Sequence, residues 1–281
     1  MKKNYKISIT GDLGSGKSTV CDIITKELPN IKLISVGALQ REMAKKMGMT
    51  TTEFNVYMES HPEIDKELDD MLKTYDGITG EDFLFDSRLA WNFVPSAFSV
   101  YVTTDLLEAA RRVQKARREN EGYSSVDEAM KKLSERRASE ILRYREFYGL
   151  NIKDLSNYDL VVDSTTASPD EVANFILSEY DSYVNGREYH RHYLSPMRLY
   201  PLACTERGGD IKVCEYKDFY YVIAGADALK RTVKEGKKAV YCSLVAVPAE
   251  DKELFIKENC NQELLKSWED DCGINFVRYP F

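Results

Sequence analysis

The chain has 281 residues, 43% of them hydrophobic, which is enough for one main domain and a smaller companion with a proper buried core. Its 39 basic against 46 acidic residues leave a net charge of −7, which argues against nucleic acid as a general partner because phosphate backbones need a positive face. No apolar run approaches the ~18 residues that cross a bilayer, so a cytoplasmic protein with no membrane partner is expected, and the six cysteines, with no CxxC pair, read as reduced thiols rather than a zinc site.

The first predicted strand, residues 6–10, runs into the turn GDLGSGKST, and a helix is expected from Lys17. Gly11, Gly16, Lys17 and Ser18 satisfy GxxxxGK[ST] between a strand and a helix, with Gly14 as an extra glycine inside. Glycines let backbone N–H groups turn inward onto phosphate oxygens, the helix start adds partial positive charge, Lys17 reaches the terminal phosphates and the Ser18 hydroxyl suits Mg²⁺. Gly11, Asp12, Gly14, Ser15, Gly16, Lys17, Ser18 and Thr19 are therefore the expected ATP-binding set. The bland alternative, an ordinary glycine-rich turn, does not account for the lysine and serine at that spacing.

The second predicted strand, residues 32–36, ends in LISVGALQR. Ser35, Gly37 and Arg41 lie just past its carboxyl end, the edge where open α/β sheets bind ligands, and Arg41 falls one helical turn beyond Gly37, within reach of an acceptor phosphate. Thr50 with Glu53 reads as a capping box, and Pro62 splits the next segment into two helices. A third strand, 83–86, ends in FLFDSRLAW, where Asp86 can hold a Mg²⁺-bound water and Arg88 follows two residues on. A fourth strand is expected at 98–103.

Residues 105–149 are the most arginine-rich stretch and read as two helices around a polar turn containing Gly122, the second opened by Ser125 and Glu128. Arg136, Glu140 and Arg143 are spaced four and three apart, which puts them on one face. Such charge runs are commonly solvated faces, but beside a phosphate-binding turn a mobile arginine hairpin over the transferring group is the reading adopted. A fifth strand at 158–163 and a helix opened by Ser168, Pro169 and Glu171 complete the alternation. It predicts an α/β fold, a five-stranded parallel sheet flanked by helices.

After residue 184 the character changes. NGREYHRHYLSPMRLYP reads as a linker, and beyond it IKVCEY, DFYYVIAG, a helical stretch and AVYCSLVAV predict a small α+β unit. The expected division is 1–184 and 185–281.

Taken in order, the phosphate-binding turn, SVGALQR, DSRLAW, the arginine hairpin, RRASEILRYREFYGLNIKDLSNYDLVVDS and the final SPDEV helix resemble the cytidylate kinases, particularly the compact archaeal type, over about residues 5–180. The resemblance implies ATP and Mg²⁺ as cofactors and a nucleoside monophosphate, CMP or dCMP, as acceptor. It implies acceptor contacts for Ser35, Gly37, Arg41, Arg88 and Glu140, metal contacts for Ser18 and Asp86, and a catalytic set of Lys17, Arg112, Arg136 and Arg143, with Arg117 as a second arginine on the first hairpin helix. Departures are Asp86 and Ser87 where the family has glutamate and glycine, and Leu89 after Arg88 where the bacterial branch has aspartate.

The C-terminal stretch resembles, more weakly, the ParB/sulfiredoxin-like fold over residues 190–250. Members that bind nucleotide or DNA carry an arginine or histidine–arginine shortly after the glycine, whereas here Gly225 is followed by Ala226, Asp227 and Ala228. Its role stays open between regulation, dimerisation into a homo-oligomer and support. Two other functions stay open for the whole chain: a kinase of another small acceptor, and a nucleotide sensor without turnover.

Overall fold

The structure, a computed structural model, describes residues 4–116, 123–186 and 189–281. Five parallel strands form its centre: β1 (Lys6–Gly11), β2 (Lys32–Ser35), β3 (Phe83–Asp86), β4 (Phe98–Thr103) and β5 (Leu160–Asp163), in the order β2-β3-β1-β4-β5. Strands β3, β4 and β5 are buried along their whole length, as a parallel sheet covered on both faces requires, and their sequences FLFD, FSVYVT and LVVD are accordingly near-continuously apolar. On one face, α1 (Lys17–Glu27) and α8 (Pro169–Val184) pack Val20, Cys21, Ile24, Val172 and Ile176 onto Ile7, Ile9, Val100 and Leu160.

Between strands lie α2 (Val36–Lys46), α3 (Thr51–Glu59), α4 (Pro62–Thr74), the single turn α5 (Ala90–Phe93), α6 (Leu106–Ala116) and α7 (Val126–Tyr148). The helix starts follow the capping signals. Thr50 and Glu53 cap α3 reciprocally, Ser168 and Glu171 do the same for α8, and Pro62 and Pro169 sit in the first turns of α4 and α8. At α7 the box is half formed: Ser125 accepts from the Glu128 N–H at 3.1 Å, but the Glu128 carboxylate reaches one residue further, to the Ser124 N–H at 2.7 Å.

The sheet does not stop at β5. The segment expected as a linker holds β6 (Arg191–Leu194), which pairs in parallel with β5 and carries the sheet on through β10 (Val240–Leu244), β8 (Lys212–Tyr216), β9 (Phe219–Ala224) and β7 (Leu199–Glu206), ten strands in all among the described residues. The expected strand, glycine turn, helix and strand appear as β9, Gly225, α9 (Ala226–Lys234) and β10, with β8 lying between the two strands. Gly225 is needed for two reasons: its φ is +85°, and a Cβ would stand 2.6 Å from the Asp210 carbonyl. Two further helices, α10 (Lys252–Asn259) and α11 (Gln262–Cys272), are capped by Asp251 and Asn261. One apolar core joins the two ends of the sheet: Tyr101, Tyr158 and Val161 cluster with Tyr200, Leu202, Tyr220 and Val222. No helix among the described residues is long and apolar enough to cross a membrane.

Candidate functional site

From β1 the chain leaves to β2 on one side of the sheet, and it later returns through β3 to β4 on the other, so a crevice opens at the carboxyl end of β1. The phosphate-binding turn occupies that crevice. Gly11 lies so close to β4 that a Cβ would meet the Val102 carbonyl at 2.4 Å, and Gly16 opens α1 at φ +84° with no side chain to cap it, leaving the first-turn N–H groups for a ligand. The Ser15 hydroxyl is 2% exposed and has no hydrogen-bond partner among the described residues.

The cavity over this turn is lined by residues 12–19 and by three arginines from three separate elements, Arg41 of α2, Arg88 after β3 and Arg136 of α7. Asp86, at the end of β3, gathers the groups beneath it. One carboxylate oxygen pairs with the Lys17 ammonium, and the other accepts from the hydroxyls of Ser18 at 3.1 Å and Ser35 at 3.2 Å. Ser18 and Asp86 together offer the hard oxygen donors that Mg²⁺ takes when phosphates and water supply the rest. Ser35 also caps α2, accepting from the Ala38 N–H, and Gly37 lies under the Arg41 guanidinium, 3.5 Å from where a Cβ would be.

Glu140 joins two of the arginines. Its carboxylate stands 3.2 Å from Arg88 Nε and 3.4 Å from Arg136 Nε, while the Arg88 guanidinium also donates to the Gly11 carbonyl. Burial disfavours the Arg88 charge, but Glu140, Tyr144, Tyr101 and Asp12 together more than offset it and hold the guanidinium protonated.

Two residues of the expected set, Arg143 and Arg112, lie away from this cavity, and a third, Asp12, lines it with its carboxylate already engaged. Arg143 is one turn beyond Glu140, away from the cavity; it donates to the Tyr144 hydroxyl at 3.3 Å, lies over that ring at 5.1 Å and faces Asp65 of α4. Arg112 sits on the far side of the turn. Its guanidinium donates to the carbonyls of Ser164 at 2.6 Å and Thr165 at 3.4 Å and pairs with Glu108, and it lines a second cavity of about 340 Å³ with Val20, Val113, Ala167, Pro169 and Val172. The Asp12 carboxylate is occupied entirely within the protein, by Tyr101, Thr103, Lys153 and Arg137. Arg117 and Gly122 lie outside the described residues.

A third, narrow cleft opens between α2, α4 and α7, next to Arg88, lined by Gln40, Asp65, Asp69 and Tyr148 among others. Sequence reading did not single these residues out. Asp69 accepts from the Tyr148 hydroxyl at 2.7 Å, 79 residues away in sequence, and burial raises the pKa of both carboxyls, with Arg143 opposing it at Asp65. The signal that could have found them is the run of carboxylates, Asp65 and Asp69, four apart on one face of α4.

The chain is similar to several known proteins. A family model described as an AAA domain matches residues 7–143. The cytidylate kinase of Thermoplasma volcanium is 38% identical over 192 residues, 68% of this chain and 100% of that protein; the enzyme of the same name from Thermococcus kodakarensis is 35% identical over 176 residues, 62% of this chain and 87% of its own. Among solved structures, the shikimate kinase of Bacteroides thetaiotaomicron aligns with 63% of the chain and 98% of its own length at 16% identity and a TM-score of 0.42. The archaeal relative is thus matched from end to end, while about a third of the present chain has no counterpart in it. Such a match, on a chain that brings three arginines over a phosphate-binding turn, makes the protein a kinase and a member of the cytidylate kinase family.

Proposed function

We propose that the protein phosphorylates CMP, and dCMP as a related acceptor, at the expense of MgATP. Residues 1–184 carry this chemistry and 185–281 form an accessory unit. The turn from Gly11 to Thr19 cradles the donor phosphates, and the second cavity takes the donor base between its apolar walls, with the planar Arg112 guanidinium at its rim. Ser18 and Asp86 are the residues that would hold Mg²⁺, which neutralises charge on the donor phosphates. Arg41, Arg88 and Ser35 fix the acceptor phosphate. The cleft of Gln40, Asp65, Asp69 and Tyr148 takes the acceptor base, where a carboxylate can accept from an exocyclic amino group.

Little covalent chemistry is asked of the chain, because an acceptor phosphate is already ionised near neutral pH. Positioning and charge neutralisation carry catalysis, with Lys17 and Arg136 over the transferring phosphoryl and Glu140 keeping Arg136 and Arg88 in register. Arg143 contributes on the acceptor side, through Asp65.

The observation that carries the reading is the convergence of Arg41, Arg88 and Arg136 on the cavity above Lys17. An acceptor panel tests it: CMP, dCMP, UMP, AMP and shikimate with MgATP, ADP formation followed, and Lys17→Ala as control. CMP-dependent ADP formation that vanishes in the variant is expected. Turnover with shikimate alone would overturn the acceptor assignment.

A further inference from the structure

The C-terminal segment is joined to the kinase site by ion pairs. Arg198, 4% exposed, pairs at 2.9 Å with Asp163 at the end of β5, the residue whose carboxylate also accepts from the Thr165 N–H in the loop beside the second cavity. Arg278 reaches Asp105 at the end of β4, at 3.4 Å. A third connection goes to α7 and the phosphate-binding turn. Asp218, at the tip of the β8–β9 hairpin, accepts from Arg137 of α7 at 3.0 Å and stands 3.8 Å from Lys153. Both cations continue to Asp12 of the phosphate-binding turn, Lys153 at 3.1 Å and Arg137 at 3.4 Å.

Arg137 is the neighbour of Arg136, so whatever fixes its guanidinium also fixes the rotation of α7 that presents Arg136 and Glu140 to the cavity. The inner end of the chain of pairs is sheltered, with the side chains of Asp12, Arg137 and Lys153 at 1%, 14% and 15% exposed, while Asp218 at its outer end is 44% exposed. Glu215 of β8 faces Lys153 and Arg198, and Arg198 in turn is close enough to Arg137 to oppose its charge. Both residues of the turn, Lys217 and Asp218, have positive φ, +51° and +66°, so the hairpin tip is a tight reversal that aims one carboxylate inward while Lys217 pairs outward with Glu253 at 3.0 Å.

We infer that Asp218 is a positioning residue for phosphoryl transfer: through Arg137 it sets α7, and with it Arg136, over the phosphate-binding turn, so that the C-terminal segment completes the kinase site. This inference rests on the proposed role of Arg136. It gives the C-terminal segment a task in catalysis without any contact with substrate.

Asn is nearly isosteric with Asp and tolerates positive φ equally well, so Asp218→Asn removes the charge and leaves the hairpin. Expected are a fall of ~10-fold in kcat at saturating substrates with KM for the acceptor little changed, faster amide exchange in the middle of α7, and wild-type kcat in Lys217→Ala. Arg137→Gln should do the same, and Asp218→Asn combined with Arg137→Gln should be no slower than Arg137→Gln alone. Asp218→Gly, which suits the same backbone, repeats the test should the Asn variant not fold. Wild-type kcat with unchanged exchange in α7, or single effects that multiply in the double variant, would overturn the inference. If the wild-type protein turns over no acceptor, the functional reading fails and the exchange experiment alone decides whether Asp218 holds α7.

Discussion

The Lys17 ammonium and the Asp86 carboxylate, 69 residues apart, pair directly beneath the cavity, while the second oxygen of Asp86 accepts from Ser18 and Ser35. On the proposed reading Lys17 turns from Asp86 to the donor phosphates, and Asp86 with Ser18 would hold Mg²⁺. Lys17→Ala is expected to lower kcat by about 10²–10³-fold. Asp86→Asn, which cannot balance a cation, is expected to raise the Mg²⁺ concentration needed for half-maximal rate. Initial rates across a magnesium series check both.

Glu140 links two arginines of the cavity, since it touches Arg88 and Arg136 at once. Glu140→Gln leaves two half-buried guanidiniums without their shared carboxylate. A loss of about 2 kcal/mol in transition-state binding, or ~30-fold in kcat/KM for the acceptor, is expected. Steady-state kinetics with the acceptor varied will show it.

Arg198 and Asp163 are 5% and 0% exposed at the side chain, so the pair is shielded from solvent. Arg198→Met strands a buried carboxylate between β5 and the C-terminal strands, and a loss of ~3–5 kcal/mol of stability is expected. Chemical unfolding of the variant against the parent protein measures this, and a loss below 1 kcal/mol would contradict it.

His192 of β6 lies in the strand that joins the two ends of the sheet, 7% exposed, with burial pushing its pKa down from 6.5 to about 4 and the nearby His190 acting in the same direction. Between those values the unfolded chain binds a proton that the folded chain does not, so stability is full above pH 6.5 and is lost as pH falls towards 4. From pH 7 to pH 5 this one residue accounts for about 2 kcal/mol. His192→Gln is expected to flatten that part of the stability profile, whatever it does to stability at neutral pH; thermal unfolding at the two pH values compares the slopes.

What sequence reading could see was local. The phosphate-binding turn, the strand-end Asp86 and Arg88, and the capping of α3 and α8 each depend on residues within one turn or one helix start, and residue type with spacing determines them. Direction was less accessible: Arg136, Glu140 and Arg143 share a helix face, yet seven residues of α7 are long enough to carry Arg143 past the cavity to α4. Long-range pairs were invisible. Asp69 with Tyr148, Arg137 with Asp218 and Asp12 with Lys153 join residues 79, 81 and 141 apart, and nothing in a local pattern announces them. The four-residue strand β6 failed for a related reason: RHYL has no apolar run of its own, and its strand character comes from pairing with β5 and β10.

The central claim is transfer of a phosphoryl group from ATP to CMP at the cavity where Arg41, Arg88 and Arg136 meet. Its most direct test is product identification by mass after incubation of the protein with MgATP and CMP. One CDP formed for each ADP, and neither formed by Lys17→Ala, is the predicted result. ADP accumulating without CDP would contradict it.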